Sequence, residues 1–317
     1  MGSAGTAPRI LVAGEALVDL LVPDDPRRPV AFPGGSPANT AIALARLGTP
    51  VTFAGRFGND RFGDLLLANL ADNGVDLSHA VEAAEPASLA VVTLGADGVP
   101  TYGFHVSGTA DWAWTDGELP DTLPPEVLAV HTGSLAVARS EKLVRWFERQ
   151  RPHRVTSLDP NIRPELVGDR DTYLPRLRAL VAASDIVKVS AEDLAWTHPG
   201  EDPVDVAERW SRELGPVLVV VTLGSGGAVA VHAAGVVPRP GTTVSVVDTV
   251  GAGDAFSGGL LHWLATHDLL DRAALTRATT DELAQALDYA IVAAGLACAQ
   301  PGADPPTAQQ VDAALRV

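Results

Sequence analysis

Short apolar runs rich in β-branched residues alternate along this chain with longer stretches in which apolar positions recur at helical spacing. Parallel strands buried on both faces by crossover helices produce that alternation, so the pattern predicts an α/β chain built from βαβ units. Residues 10–13 and 51–54 read as strands ending at Gly14 and Gly55. Between them Ser36 is expected to cap a helix with Pro37 at its first position. Apolar residues follow from Ala41 to Leu47, and Gly48 supplies a positive φ after the last turn. A second helix is expected between Asp60 and Gly74, turning Leu65, Leu66 and Leu70 inward. Residues 89–94 and 99–106 flank the turn pair Asp97-Gly98 without an intervening helix, and predict a β-hairpin. Later strands are expected at 155–158, 186–189, 217–223, 228–232 and 244–247, with helices near 141–150, 171–183, 203–214, 253–267 and 281–299. No repeat recurs, and no linker is long enough to separate two independent domains.

Composition narrows the function. The chain of 317 residues is 46% hydrophobic, with Gly 30 and Pro 24, which excludes disorder and collagen-like repeats. Its net charge of -16, from 23 basic and 39 acidic residues without a basic block, would repel a phosphate backbone, so nucleic acid is not an expected partner. Cys298 is the only cysteine, which excludes an intrachain disulfide and a cysteine-based zinc site and fits a reducing, cytoplasmic location. Residues 1–8 are small and polar, without a basic start or apolar stretch, and are expected to form a disordered leader instead of a signal peptide. The longest apolar region, 217–237, is broken by Thr222, Gly224, Ser225, Gly226, Gly227 and His232, so no membrane partner is expected.

Polar residues gather where strands end: Glu15, Asp159 with Asn161, Ser190, Thr222 and Asp248. In an open α/β sheet that edge is where ligands bind. The sharpest segment is 246–259, an apolar run that breaks into Gly251-Ala252-Gly253-Asp254 and enters an apolar helix. Its glycines let backbone N–H groups converge on one spot, and the helix start adds a positive dipole end, which together make an anion site. A carboxylate beside a phosphate would repel it; Asp254 makes sense as the base that takes a proton from a hydroxyl attacking that phosphate. The helix dipole is expected to keep it ionised. The competing reading is a plain helix N-cap with Asp254 as the capping side chain.

In the second glycine-rich segment, 33–39, Gly34-Gly35 allows close approach and Asn39 offers a donor and an acceptor, which suits sugar hydroxyls. Asp19 can accept two neighbouring hydroxyls. The plain alternative is an ordinary loop followed by an exposed helix residue. Trp112 and Trp114 are expected to pack, although they could cover a substrate. No Gly-x4-Gly-Lys-Ser/Thr occurs, and Phe256 stands at the third glycine of a dinucleotide fingerprint, so P-loop and Rossmann readings fail. The eight histidines lack metal-ligand spacing, and Ser134 and Ser225 lack the surroundings of a hydrolase nucleophile.

Two signatures resemble the ribokinase/PfkB family of sugar kinases, and the likeness runs from Ile10 to about Pro306. One is Gly34-Gly35-Ser36-Pro37-Ala38-Asn39-Thr40-Ala41 with Leu44-Ala45-Arg46-Leu47-Gly48 and Gly55-Arg56-Phe57-Gly58-Asn59-Asp60; the other is Asp248-Thr249-Val250-Gly251-Ala252-Gly253-Asp254-Ala255-Phe256. The resemblance implies a three-layer α/β/α sandwich with a small β-sheet lid: one kinase domain over 9–310, with lid segments about 15–35 and 88–112. It implies that Asp254 is the general base and that Gly251, Ala252 and Gly253 hold the charge on the transferred phosphoryl group. It places Asp19, Gly34, Gly35, Asn39, His105, Asn161 and Arg163 around the sugar, and Lys188, Ser190, Thr222, Gly224 and Gly227 around ATP. Asp248 matches a position that helps to bind a monovalent cation such as K+.

The closest likeness within the family is to fructokinases, from Gly14-Glu15-Ala16-Leu17-Val18-Asp19, Asp159-Pro160-Asn161-Ile162-Arg163-Pro164 and Asp185-Ile186-Val187-Lys188-Val189-Ser190. Three departures matter. Where relatives often carry Asn-x-x-Glu for magnesium, this chain has Ser190-Ala191-Glu192-Asp193, so Asp193 in register or Glu192 out of it would act, through water. Phe104-His105-Val106 supplies no lid arginine, which favours a neutral sugar over a sugar acid. Position 291, often polar near the adenine, is Ile291. The implied activity is ATP- and Mg2+-dependent phosphorylation of a neutral sugar, fructose first. The alternatives are a ribose or nucleoside kinase of the same family and a non-catalytic sugar sensor. Unpaired lid edges would also offer a homodimer interface.

Overall fold

Every residue from Ile10 to Ala13 is fully buried, and successive side chains join two different apolar clusters: Ile10 and Val12 one, Leu11 and Ala13 the other. A strand covered on both faces gives that division. A computed structural model of the chain describes residues 9–23, 25–94 and 100–316. The expected leader at 1–8 and the turn pair Asp97-Gly98 lie outside the described residues.

Thirteen strands are described: β1 (Arg9–Ala13), β2 (Leu17–Val22), β3 (Val30–Gly34), β4 (Val51–Gly58), β5 (Asp76–Ala83), β6 (Leu89–Leu94), β7 (Pro100–His105), β8 (Val127–Gly133), β9 (Val155–Asp159), β10 (Ile186–Ser190), β11 (Leu218–Thr222), β12 (Ala228–His232) and β13 (Gly235–Arg239). Nine of them form one sheet in the order β13-β12-β11-β10-β9-β8-β1-β4-β5. Within it the β11–β12 and β12–β13 pairs are antiparallel and the other pairs are parallel. On one face pack helices Ser36–Arg46, Ala252–Thr266 and Thr280–Cys298, through Leu44, Leu260 and Leu287 among others. On the other pack Glu141–Gln150, Arg170–Ala182 and Pro203–Leu214, through Trp146, Leu180 and Trp210. This is the expected three-layer α/β/α sandwich.

The remaining strands form the second, small sheet, β3-β2-β6-β7. Its β6–β7 hairpin is antiparallel as expected, and β2 pairs with β6 in parallel. The chain enters the lid at Glu15 and Ser88 and leaves it at Thr109, and Asp111 ties these junctions together. Its Oδ1 accepts from Ala16 N at 3.1 Å and its Oδ2 from Ser88 Oγ, which also lies 2.6 Å from Thr109 Oγ1.

Two expectations need correction. Residues 244–247 are coil, with a bend at Val247, and belong to no strand: Val246 and Val247 are 60% and 62% exposed, and Val247 N donates to Cys298 O at 2.8 Å. A β-branched run favours extended backbone but does not by itself supply a ladder to join. Ser36 is not the cap of its helix; Gly35 holds that position at φ 102, and the Ser36 hydroxyl is drawn elsewhere. By contrast Asp60 caps the next helix, accepting from Phe62 N and Gly63 N, Gly48 takes a positive φ as expected, and Gly74 takes one as well. No helix among the described residues is long and apolar enough to cross a membrane.

Candidate active site

Gly251 is the N-cap of helix Ala252–Thr266 at φ 75, a left-handed conformation, and a Cβ there would come within 2.7 Å of Ala303 Cβ. Glycine is therefore required at this turn on two counts. No side chain caps the helix, so the plain capping role for Asp254 fails. Its carboxylate instead meets the helix that begins at Ser36: Oδ1 accepts from Ser36 Oγ at 2.6 Å and Oδ2 from Asn39 Nδ2 at 2.9 Å. The two helices can lie this close because Gly258 has no Cβ, which would stand 2.6 Å from Ala43 Cβ. Asp254 is 7% exposed, and burial raises its pKa to about 6 against the pull of both donors. Desolvation is the largest influence on this carboxyl, which is ionised above about pH 6.

Beneath the turn lies a buried ion pair. Lys188 Nζ donates to Asp159 Oδ2 at 2.8 Å, and Ser257 Oγ donates to the same oxygen at 3.2 Å. A Cβ on Gly253 would sit 2.9 Å from Lys188 Nζ, so the ammonium is pressed against the glycine turn. Burial opposes its charge, but Asp159 holds the pKa of Lys188 above the usual lysine value. Asp159 Oδ1 is buried with no hydrogen-bond partner. His131, hydrogen-bonded to Ser157 Oγ at 3.0 Å, is pushed down to about 4 by burial and stays neutral at this edge.

Asp19 stands on β2, and Gly34 gives it room: a Cβ on that glycine would come within 2.3 Å of Asp19 Oδ2. Burial raises its pKa to about 6; Arg163 pulls the other way, and Asp254 adds to the rise. Asp19, Arg163 and Asp254 therefore share one electrostatic environment. Arg163 itself is exposed and donates to Asn161 Oδ1 at 2.8 Å, and Asn161 takes φ 37, unusual for a non-glycine residue. His105 lies exposed at the end of β7, in register with Leu89.

Ser190 and Thr222 end β10 and β11 side by side, in register. Gly224 and Gly227 take φ 57 and 94 in the following turn, and a Cβ on Gly227 would come within 2.1 Å of Arg239 O. Ser190 and Asp193 form a capping box, and Asp193 Oδ1 also accepts from Ile162 N at 2.9 Å, whereas Glu192 is exposed. Asp248 joins two loops, accepting from Val250 N at 3.0 Å and Gly302 N at 2.9 Å. Among the described residues no three His, Cys, Asp or Glu side chains gather as a metal cluster. The sequence reading missed two groups of this site. Ser36 carries only a capping expectation although it lies inside the glycine-rich segment, and Asp159 carries no role beyond its place at a strand end and in Asp159-Pro160-Asn161, although a carboxylate closing a fully buried strand is costly without a purpose.

A three-layer sheet, a glycine turn with an adjacent basic group and a buried carboxylate held near neutrality define a phosphotransferase that acts on an alcohol. The pfkB family carbohydrate kinase model matches residues 7–310, and the chain belongs to that family. It is 39% identical over 269 residues to a fructokinase of Rhizobium leguminosarum bv. trifolii, covering 83% of this chain and 82% of that one. To a fructokinase of Klebsiella pneumoniae it is 37% identical, covering 84% and 87%. Among solved structures it is similar to the ATP-bound fructokinase of Xylella fastidiosa, with TM-score 0.87, 29% identity and coverage of 97% and 98%. A fructokinase double mutant of Vibrio cholerae with fructose, ADP and potassium ion bound gives TM-score 0.83 at 28% identity, covering 97% and 98%. Aminoimidazole riboside kinase of Salmonella enterica, complexed with aminoimidazole riboside and an ATP analogue, gives 0.80 at 27%, covering 96% and 99%. The chain is an ATP-dependent sugar phosphotransferase, with a sugar and a nucleotide as its small-molecule partners.

Proposed function

We propose that the protein transfers the γ-phosphoryl group of ATP to a primary hydroxyl of fructose, with Asp254 as general base. The observation that carries this reading is the Asp254 carboxylate, buried, raised to about 6, and held by Ser36 and Asn39 at the start of a helix. In the proposed reaction Asp19, Gly34, Gly35, Asn161 and Arg163 bind the sugar, with His105 at the lid's edge, and one hydroxyl faces Asp254. The hydroxyl oxygen attacks the γ-phosphorus, its proton passes to Asp254, and the bond to the ADP oxygen breaks. Charge on the transferred group meets the 251–253 turn at the helix start, where Ala252 N donates to Thr249 O at 3.3 Å and the Gly251 and Gly253 N–H groups face the anion, and the Lys188 ammonium behind it. Ser190, Thr222, Gly224 and Gly227 line the nucleotide's approach. The base would enter a cleft of about 240 Å³ lined by Gly241, Thr242 and Ile291 among others.

Magnesium keeps several waters and leans on phosphate oxygens, so a full protein cage is not needed. The unpartnered Asp159 Oδ1 fits such a water-mediated site, with Asp193 and Glu192 as the further candidates. Bound there, the ion would neutralise charge between the phosphates. Asp248, clamping two loops, is the candidate for a monovalent cation such as K+. Consumption of ATP suits a cytoplasmic enzyme, and the apolar lid face suits a homodimer. A panel of fructose, ribose, nucleosides and aminoimidazole riboside, each with ATP and Mg2+, tests the reading. The highest kcat/KM is expected for fructose; a higher value for a riboside would reassign the acceptor, and no ADP release with any of them would leave a sugar sensor.

A further inference from the structure

Between lid and body runs a second cleft, of about 350 Å³, that the reaction above leaves unused. Val106, Thr109 and Trp112 of the chain leaving the lid form one wall, Ala138 and Arg139 of helix Ser134–Arg139 the second, and Leu166 of helix Pro164–Val167 the third. The cleft adjoins the acceptor position. Trp112 and Leu166 pack against Leu17, Ala90 and Leu135, and Ala90 is the cross-strand partner of Asp19. Leu166 N also donates to Arg163 O at 2.9 Å, which places it one turn beyond the arginine that acts on Asp19. A group on the end of the acceptor remote from Asp254 would run into this space.

Arg139 is the charged group of the cleft. Its guanidinium carbon stands 5.7 Å from the centre of the Trp112 ring, and that ring is fixed by its indole N–H, which donates to Thr109 Oγ1 at 2.8 Å. Arg139 is half-buried and, among the described residues, has no carboxylate and no hydrogen-bond partner. In a chain of net charge -16 other half-buried arginines are paired: Arg9 with Asp76, Arg176 with Glu141, Arg209 with Glu201. Glu141, the nearest carboxylate in sequence, is taken by Arg176 at 2.6 Å, and Asp111, next to Trp112, is taken by the lid junction. A guanidinium stacked on an indole keeps its N–H edge free, and that fork matches the oxygens of a carboxylate or phosphate.

We propose that Arg139 on its Trp112 platform is an oxyanion subsite at the far end of the acceptor pocket. The enzyme then accepts, besides a neutral ketose, sugars bearing a carboxylate or phosphate remote from the hydroxyl it phosphorylates. This rests on the acceptor orientation proposed above, and it revises the preference for a neutral sugar: the cation that the lid lacks comes from the helix after β8. The transfer chemistry is unchanged, with Asp254 taking the proton and ADP leaving.

The test is calorimetric binding of gluconate, fructose 1-phosphate, fructose 6-phosphate and inorganic phosphate to the full-length protein and to Arg139→Ala and Arg139→Lys, with fructose turnover measured alongside. At least one anionic sugar is expected to displace fructose and to lose about tenfold or more in affinity in Arg139→Ala, with part of the loss restored in Arg139→Lys. Equal affinities in wild type and Arg139→Ala overturn the subsite while fructose turnover keeps the kinase reading intact. Inorganic phosphate that binds through Arg139 without displacing any sugar also overturns it, because the anion would then be a separate effector. Absence of fructose turnover in the wild type is a different failure and falls on the fructose reading alone.

Discussion

Asp254, buried beside Ser36 and Asn39 with a pKa near 6, is ionised above that pH and protonated below it. A general base must be ionised to act, so kcat/KM for sugar phosphorylation is expected to rise through about pH 6 and level off above. Asp19 titrates in the same range, so the acid limb belongs to the pair and should be steeper than one proton gives. Lys188 lowers the Asp254 value and Asp159 raises it. Lys188→Met is therefore expected to move the limb to higher pH, which a pH profile of kcat/KM reads directly; a limb that stays in place would separate Lys188 from the base. At this scale the sequence pointed to Asp254 and Asn39 through their glycine-rich surroundings and to Asp19 through its place after the first strand, which are local signals. It did not announce that Ser36 and Asn39 would both turn to Asp254, more than 200 positions away, because that contact depends on two helices meeting at Gly258 and Ala43.

Among the elements, the 251–253 turn depends on a glycine that has both a left-handed φ and a neighbour inside Cβ contact. Gly251→Ala is expected to cost on the order of 1–3 kcal/mol in stability, and to lower kcat more than KM, because the anion-binding turn would be displaced. Thermal unfolding and steady-state kinetics would show both effects, and unchanged values for the two would contradict the strain argument. At the lid junction Glu15 accepts from Ala136 N at 2.9 Å, and burial raises its pKa from 4.5 to about 7. The folded protein binds that proton more tightly than the unfolded chain. Its contribution therefore grows as pH falls from above 7 and is complete below 4.5. Glu15→Gln removes this dependence, so wild type should gain Tm relative to the variant between pH 8 and pH 5.5. A difference in Tm that is the same at both pH values would contradict the assignment. Elements with continuous apolar runs or clear caps were legible in the sequence. The 244–247 segment misled because its valines carry the right propensity without a neighbouring strand. β5 and β8 escaped because the first is a half-exposed edge strand and the second places His131 and Thr132 inside the sheet.

For the whole molecule, the sheet brings the ends of β9, β10 and β11 to one edge and the lid brings β2 above it, so residues from distant parts of the chain meet around Asp254. The lid face that carries Asp19 also exposes Val30, Phe32 and Tyr102 at 47%, 49% and 46%, and Phe32 is the cross-strand partner of Asp19. An apolar face of that kind seeks cover, and the proposed homodimer would supply it. Phe32→Asp with Tyr102→Asp is expected to convert a dimer to monomer in sedimentation equilibrium, and a wild-type monomer would contradict this. The resemblance in the glycine-rich segments conveyed the architecture, whereas the Trp112 and Arg139 cleft required the lid and body to be seen together.

The most direct measurement is the rate of ADP formation by Asp254→Asn with saturating ATP, magnesium and fructose, in protein whose Tm matches the wild type. Loss of a general base predicts a fall in kcat of about 10²–10⁴-fold with the sugar still bound. A variant that keeps kcat within tenfold would show that another group removes the proton.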